Sequence, residues 1–223
     1  MSKNILLAGA SGLVGGHILD ILDDGNSDLT LLLRNRLEEK THLKQIVTNF
    51  DNLNKMEELD CIDEVYIAIG KKLSLFDLIY LKKEKRKDFK KVDFEYIKNI
   101  AAYARKLGAK SIGLISAVGA NDKSRNIYLN IKESIEKEII AMNFEKVIIA
   151  RPSHLLGKRN GEKIPFLISA FESITNFLGY LMIGPFKKFR NIRALNVANS
   201  LVSKMNNIDS GVHVLDFKDF KNR

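Results

Sequence analysis

Residues 9–16 read GASGLVGG and follow directly on an apolar run, NILLA, at 4–8; the reading of this junction decides the fold. Three readings are open at first: a phosphate-binding turn, the middle of a secretory signal, or a plain flexible turn. Gly9, Gly12 and Gly15 recur as G-x-x-G-x-x-G between a strand-like run and an amphipathic segment, LVGGHILDILDD. In that setting Gly9 lets the chain turn sharply at a strand end. Gly12 presents no Cβ to a pyrophosphate, and Gly15 lets the following helix lie close to the sheet. The backbone N–H groups around Ser11, Leu13 and Val14, at the positive end of that helix, then face the phosphates. The signal-peptide reading fails because the apolar run has five residues and no A-x-A cleavage pattern follows it.

Beyond the junction, short apolar runs alternate with longer helical patterns. NILLAG, DLTLLLR, KQIVTNF, EVYIAIG, SIGLIS and KVIIARP read as strands buried on both faces. LVGGHILDILDD, FEYIKNIAAYARKLG and IYLNIKESIEKEIIAMN read as helices between them. Gly25 and Gly108 stand where helix C-caps belong. Such alternation implies an α/β, Rossmann-type doubly wound parallel sheet with right-handed crossovers. After Pro152 the alternation stops: residues 155–193 are aromatic-rich and irregular, then IRALNVANSLVSKMNN reads as a last helix and GVHVLDF as a last strand. The expectation is one domain over 1–223, with 155–193 covering a substrate.

The chain has 223 residues, enough for a full core. Its formal charge of +9 suits an anionic ligand, but the basic residues are dispersed and no aromatic-basic or helix-turn-helix motif accompanies them, which argues against nucleic acid. The one basic run, LKKEKRKDFKK at 81–91, reads as a solvated loop or helix face, with a surface for an anionic partner as the alternative. Cys61 is the single cysteine, which excludes an intrachain disulfide and suits a reducing, cytoplasmic setting. His17, His42, His154 and His213 lie too far apart for a metal motif. The stretch FLISAFESITNFLGYLMIGPF is interrupted by Glu172, glycines and Pro185, so no membrane span is expected.

Several residues carry possible chemistry. Arg34, at the tip of the second strand, stands where an acidic residue would hold a ribose diol; a guanidinium there binds a 2′-phosphate instead, favouring NADP(H) over NAD(H). Asp51, after the third strand, either reaches the adenine amine or caps the next helix. Gly70, Lys71 and Lys72 follow the fourth strand, at the sheet edge where ligands bind. Tyr128 and Lys132 are four apart on one helix face, and an ammonium beside a phenol lowers the phenol pKa from about 10 towards a useful range for proton transfer. Ser116, at the end of SIGLIS, is placed to polarise the same carbonyl.

Taken together, GASGLVGG, SIGLISAVGA, YLNIK and ARPSHLLG resemble an atypical short-chain dehydrogenase/reductase, and over most of residues 4–200 the chain is similar to the Tat-interacting-protein-like NAD(P)-binding oxidoreductases. The resemblance implies a tyrosine acid at Tyr128 and, at Lys132, a lysine that also holds the nicotinamide ribose. It further implies an Arg-Pro near the nicotinamide at Arg151 and Pro152. Two departures stand out. Relatives have two adjacent serines where this chain has Ser116 and Ala117, and GTT where it has Gly70, Lys71 and Lys72. The expected activity is NADPH-linked reduction of a small carbonyl substrate; the alternative is a non-catalytic NADP(H) sensor that engages a protein partner.

Overall fold

A computed structural model describes residues 2–53, 56, 60–71, 73, 77, 80–120, 123–157 and 190–220. Its main sheet has seven parallel strands in the order β3-β2-β1-β4-β5-β6-β9. The strands are β1 (Lys3–Ala8), β2 (Ser27–Leu33), β3 (Lys44–Val47), β4 (Glu64–Ile67), β5 (Ser111–Ile115), β6 (Lys146–Ala150) and β9 (Gly211–Leu215). This is the doubly wound, single-domain arrangement that the alternating pattern implies. The chain leaves β1 in one direction along the sheet and returns at β4 in the other, which opens a crevice beyond their C-terminal ends.

Both faces of the sheet are covered, and the strand pleat decides what each face receives. Along β1, Ile5 and Leu7 join one core with helix α1 (Leu13–Leu22) and helix α5 (Ala194–Asn207), while Leu6 and Ala8 join the other. That second core is built by helix α3 (Ile97–Lys106), which supplies Ile97, Ile100 and Ala104, and by helix α4 (Ile127–Ala141), which supplies Ile135 and Ile139. One helix ends at its expected glycine: Gly108 has φ +99°, and Ala109 N–H reaches the Ala104 carbonyl at 3.0 Å, whereas α1 already ends at Leu22 with Asp23 as its cap, and Gly25 (φ +79°) lies in the turn beyond.

One helix is longer than its sequence pattern indicates. The basic run forms helix α2 (Lys83–Lys90), which passes through a single π-helical stretch, Lys91–Tyr96, straight into α3. Phe89 anchors it in the core, and its lysines 83, 87 and 90 remain at the surface. Most of the expected substrate-covering segment lies outside the described residues. Its two ends pair as a two-stranded parallel sheet, β7 (Leu155–Leu156) with β8 (Ile192–Arg193). No helix among the described residues is long and apolar enough to cross a membrane.

Candidate functional site

A cleft of about 410 Å³ occupies the crevice, lined by the turns after β1, β2, β4 and β5 and by the first turns of α4. The glycine turn forms its floor. Gly9 has φ +98°, and a Cβ there would come within 2.6 Å of the Ala68 backbone. Gly12 is the N-cap of α1 and donates its N–H to Gly9 O at 2.8 Å. A Cβ on Gly15 would meet Gly9 O at 2.0 Å, so this glycine lets the helix seat on the turn itself. Ser11, Leu13 and Val14 line the cleft with the first N–H groups of α1, which have no intrahelical partner. Donors at a helix N-terminus above a close-packed glycine turn fit a pyrophosphate.

Arg34 and Arg36 flank the cleft beyond β2, both exposed, and among the described residues neither forms an ion pair. Phe50 lines the same end, with its ring edge-on to Tyr96. Asp51 is not among the lining residues. Its carboxylate is held by Lys91 at 2.9 Å and Tyr96 Oη at 3.5 Å, and these bonds draw its pKa below the ordinary aspartate range. Asp51 therefore ties the turn after β3 to the π-helical stretch.

The opposite end carries Tyr128 and Lys132. Asn126 caps α4 by accepting the Tyr128 N–H at 2.9 Å, which sets Tyr128 in the first turn, and Phe89 packs against its ring at 5.4 Å between centroids. Lys132, 5% exposed, is not free: its ammonium lies 2.8 Å from Asp93 Oδ1, and Asp93 is 1% exposed. The other Asp93 oxygen accepts the Lys71 N–H at 2.8 Å, while Lys71 Nζ reaches Asp88. Gly70 leaves room for this carboxylate, since a Cβ there would sit 3.3 Å from Asp93 Oδ1. Lys72 lies outside the described residues.

The ion pair changes the electrostatics expected of Tyr128. Burial pushes the phenol up, Lys132 pulls it down and Asp93 pushes it up again, and the net direction is above the ordinary tyrosine value. The lowering expected from a Tyr/Lys pair alone is overturned, because burial outweighs the pull of Lys132 and Asp93 opposes that pull. Burial disfavours the Lys132 charge, but Asp93 and then Tyr128 and Glu136 outweigh it and hold its pKa up.

Ser116 lines the cleft, yet its hydroxyl donates to Glu136 in a very short hydrogen bond. Glu136 is buried and also receives Arg151, whose Nε lies 3.0 Å from Oε1 and whose Nη2 makes a second, very short contact. That pairing raises the Arg151 pKa. The ends of β5 and β6 are thus clamped to α4 through one carboxylate. Pro152 contributes its carbonyl to Val118 N–H at 2.9 Å. Arg151, Pro152 and His154 are not lining residues; the last presents its carbonyl to Ile192. Among the described residues, no three His, Cys, Asp or Glu side chains gather as metal ligands.

Sequence reasoning did not single out Asp93 or Glu136. Glu136 had a visible signal, since Tyr128, Lys132 and Glu136 follow at four-residue intervals on one helix face. Asp93 had none, because the π-helical stretch that aims it has no marker in the sequence.

A parallel sheet in this order, a glycine turn under a helix N-terminus and a Tyr-x-x-x-Lys face across the crevice define an atypical short-chain dehydrogenase/reductase fold. Solved structures agree on the fold: MoeE5, solved with UDP-glucose and NAD, superposes at TM-score 0.68 with 15% identity, covering 98% of this chain and 79% of that one. The UDP-glucose 4-epimerase of Thermotoga maritima, solved with UDP-glucose, does so at 0.68 with 13% identity, covering 96% and 77%. No protein-family model matches the chain. Among curated proteins it is 30% identical over 156 residues to the mitochondrial protein FMP52-1 of Scheffersomyces stipitis, covering 70% of this chain and 68% of the relative. To FMP52 of Kluyveromyces lactis, also named as mitochondrial, it is 31% identical over 166 residues, covering 71% and 70%. The chain belongs to the FMP52 family. The mitochondrial names of these relatives overturn the expected cytoplasmic location. A single cysteine forms no intrachain disulfide in any compartment, so it does not separate one from another.

Proposed function

We propose that this protein is a mitochondrial NADPH-dependent reductase of a small carbonyl compound. The observation that carries the reading is the convergence of the glycine turn, the exposed Arg34 and the Tyr128/Lys132 face on one cleft. The N–H groups of Ser11, Leu13 and Val14 would hold the pyrophosphate and Arg34 the 2′-phosphate, with NAD as the weaker alternative. Gly70 and Lys132 would hold the nicotinamide ribose. The reduced nicotinamide, when bound, supplies a hydride. Tyr128 keeps its phenolic proton and gives it to the substrate oxygen, while Lys132 steadies the phenolate left behind. Lys71 and the apolar Ile115 and Leu155 border the substrate end of the cleft. The mitochondrial setting is carried over from the names of the relatives.

Ser116 does not polarise the carbonyl in this reading, because its proton is committed to Glu136. The same observation favours a second reading, in which the protein binds NADP(H) without turnover and signals to a protein partner. Denaturing the purified protein and identifying the released nucleotide tests the cofactor. Tyr128→Phe then separates the readings: loss of carbonyl-dependent NADPH oxidation with binding retained supports the reductase, and a tight complex with no turnover in the unaltered protein overturns it.

A further inference from the structure

The buried pair Asp93–Lys132 joins the π-helical stretch to α4, and Lys132 stands one helical turn from the group read here as the proton donor. Its components come from three elements. Lys132 rises from α4 one turn after Tyr128. Asp93 is delivered by the π-helical stretch, where the extra residue per turn rotates the helix face, a device that recurs at functional sites. The turn after β4 adds the Lys71 N–H, and Gly70 keeps the space open. Every bond fixes the Asp93 carboxylate in place, and each of its oxygens has its own donor at 2.8 Å.

We propose that Asp93 is a positioning residue for the Tyr128/Lys132 pair: it holds the Lys132 ammonium beneath the cleft and damps the field that this ammonium exerts on the Tyr128 phenol, so that the phenol remains a proton donor. Among the described residues, the charged groups around the pair are few. From α4 come Lys132 itself and Glu136; from β6 comes Arg151, which neutralises Glu136; from the π-helical stretch comes Asp93. Lys71 spends its own charge on Asp88, and α2 packs the Phe89 ring against Tyr128. Asp93 is therefore the anion that sets how much of the Lys132 charge reaches Tyr128. The burial and direction of shift described for Tyr128 agree with this arrangement.

The assignment rests on reading Tyr128 as the proton donor, but its test uses no turnover. Tyrosinate absorbance near 295 nm, titrated in the nucleotide-free protein with Tyr128→Phe subtracted, isolates Tyr128 from the other five tyrosines. In Asp93→Asn the Tyr128 midpoint should fall by about one unit or more, the scale of a close charge removed from a buried site. Asp93→Glu, which keeps the charge, should return it towards the original value. A purely structural Asp93 would leave the midpoint where it was, and that result overturns the proposal. If Asp93→Asn does not fold, because it leaves a buried ammonium without its partner, the comparison moves to Lys132→Gln and the double variant Asp93→Asn/Lys132→Gln, which removes the charges as a pair. The double variant should titrate below Lys132→Gln, and equal midpoints overturn the proposal. A shift in a protein that reduces nothing would sink the reductase reading alone; an active reductase with no shift would sink this one alone.

Discussion

Ser116 gives its hydroxyl proton to Glu136, and Glu136 in turn is held by Arg151, so the serine at the end of β5 belongs to a buried clamp between two strand ends and α4. In Ser116→Ala the clamp loses one hydrogen bond to a charged acceptor, a loss of about 1.5–3 kcal/mol. Chemical denaturation should register that loss. The reduction rate of the same variant should fall less than about tenfold, against about 10²–10⁴-fold for Tyr128→Phe, whose proton transfer is removed outright. A Ser116→Ala variant as inactive as Tyr128→Phe would restore the serine to the chemistry.

Removing the carboxylate at the centre of the clamp should cost a comparable amount. Glu136→Gln leaves Arg151 with a neutral partner, and breaking a fully buried pair costs about 3–5 kcal/mol. The Arg151 side chain keeps 30% of its surface in water, so the expected loss is smaller, about 2 kcal/mol. A lowered thermal midpoint with unchanged nucleotide affinity is the expected signature.

Arg34 has a test in cofactor choice. Exposed at the rim, it can make two charge-assisted hydrogen bonds to a 2′-phosphate, whereas an unmodified ribose presents it no opposite charge. Arg34→Ala should weaken NADPH binding by about 1–3 kcal/mol and leave NADH nearly unchanged, as read by calorimetry. Equal losses for both nucleotides would remove the phosphate role.

Two adjacent glycines should behave differently. A Cβ on Gly15 would lie 2.0 Å from Gly9 O, whereas one on Gly16 meets only Ala10 O at 3.5 Å. Gly15→Ala must displace the turn, at the upper end of the roughly 1–3 kcal/mol of an overpacked core or beyond it. Gly16→Ala should be neutral or stabilising by up to about 1 kcal/mol, through helix propensity. Unfolding curves of the two variants decide the matter.

The pH dependence has a defined sign. Burial first, and then Asp93 against Lys132, holds the Tyr128 phenol above its ordinary value, which extends its protonated form upward in pH. Carbonyl reduction should therefore show no loss attributable to Tyr128 through neutral and mildly alkaline pH, with its alkaline limb above about 10. A limb near neutrality would mean that the Lys132 field reaches the phenol undamped.

The residues that could be read in advance are those whose role is local. Gly9, Gly12 and Gly15 act within one turn, and Tyr128 and Lys132 within one helical turn, so spacing alone brings them together. The strands were legible for the same reason, since runs such as LTLLL and VIIA can be buried on both faces only in a covered parallel sheet. Asp51 was legible only as a pair of alternatives, because a carboxylate after a strand takes whichever donor the next element brings, and here Lys91 arrives.

By itself, then, the sequence determined the doubly wound sheet, the tight glycine turn and the helix face that carries Tyr128 and Lys132, because short-range periodicity and backbone sterics govern all three. Only the tertiary structure decided what surrounds that face. Asp93 reaches Lys132 through a π-helical stretch, and Ser116 and Arg151 meet on Glu136 from two different strands. Those contacts join residues distant in the chain, and their effect depends on burial: the same charges in water would be screened, whereas under the cleft they set which group holds its proton.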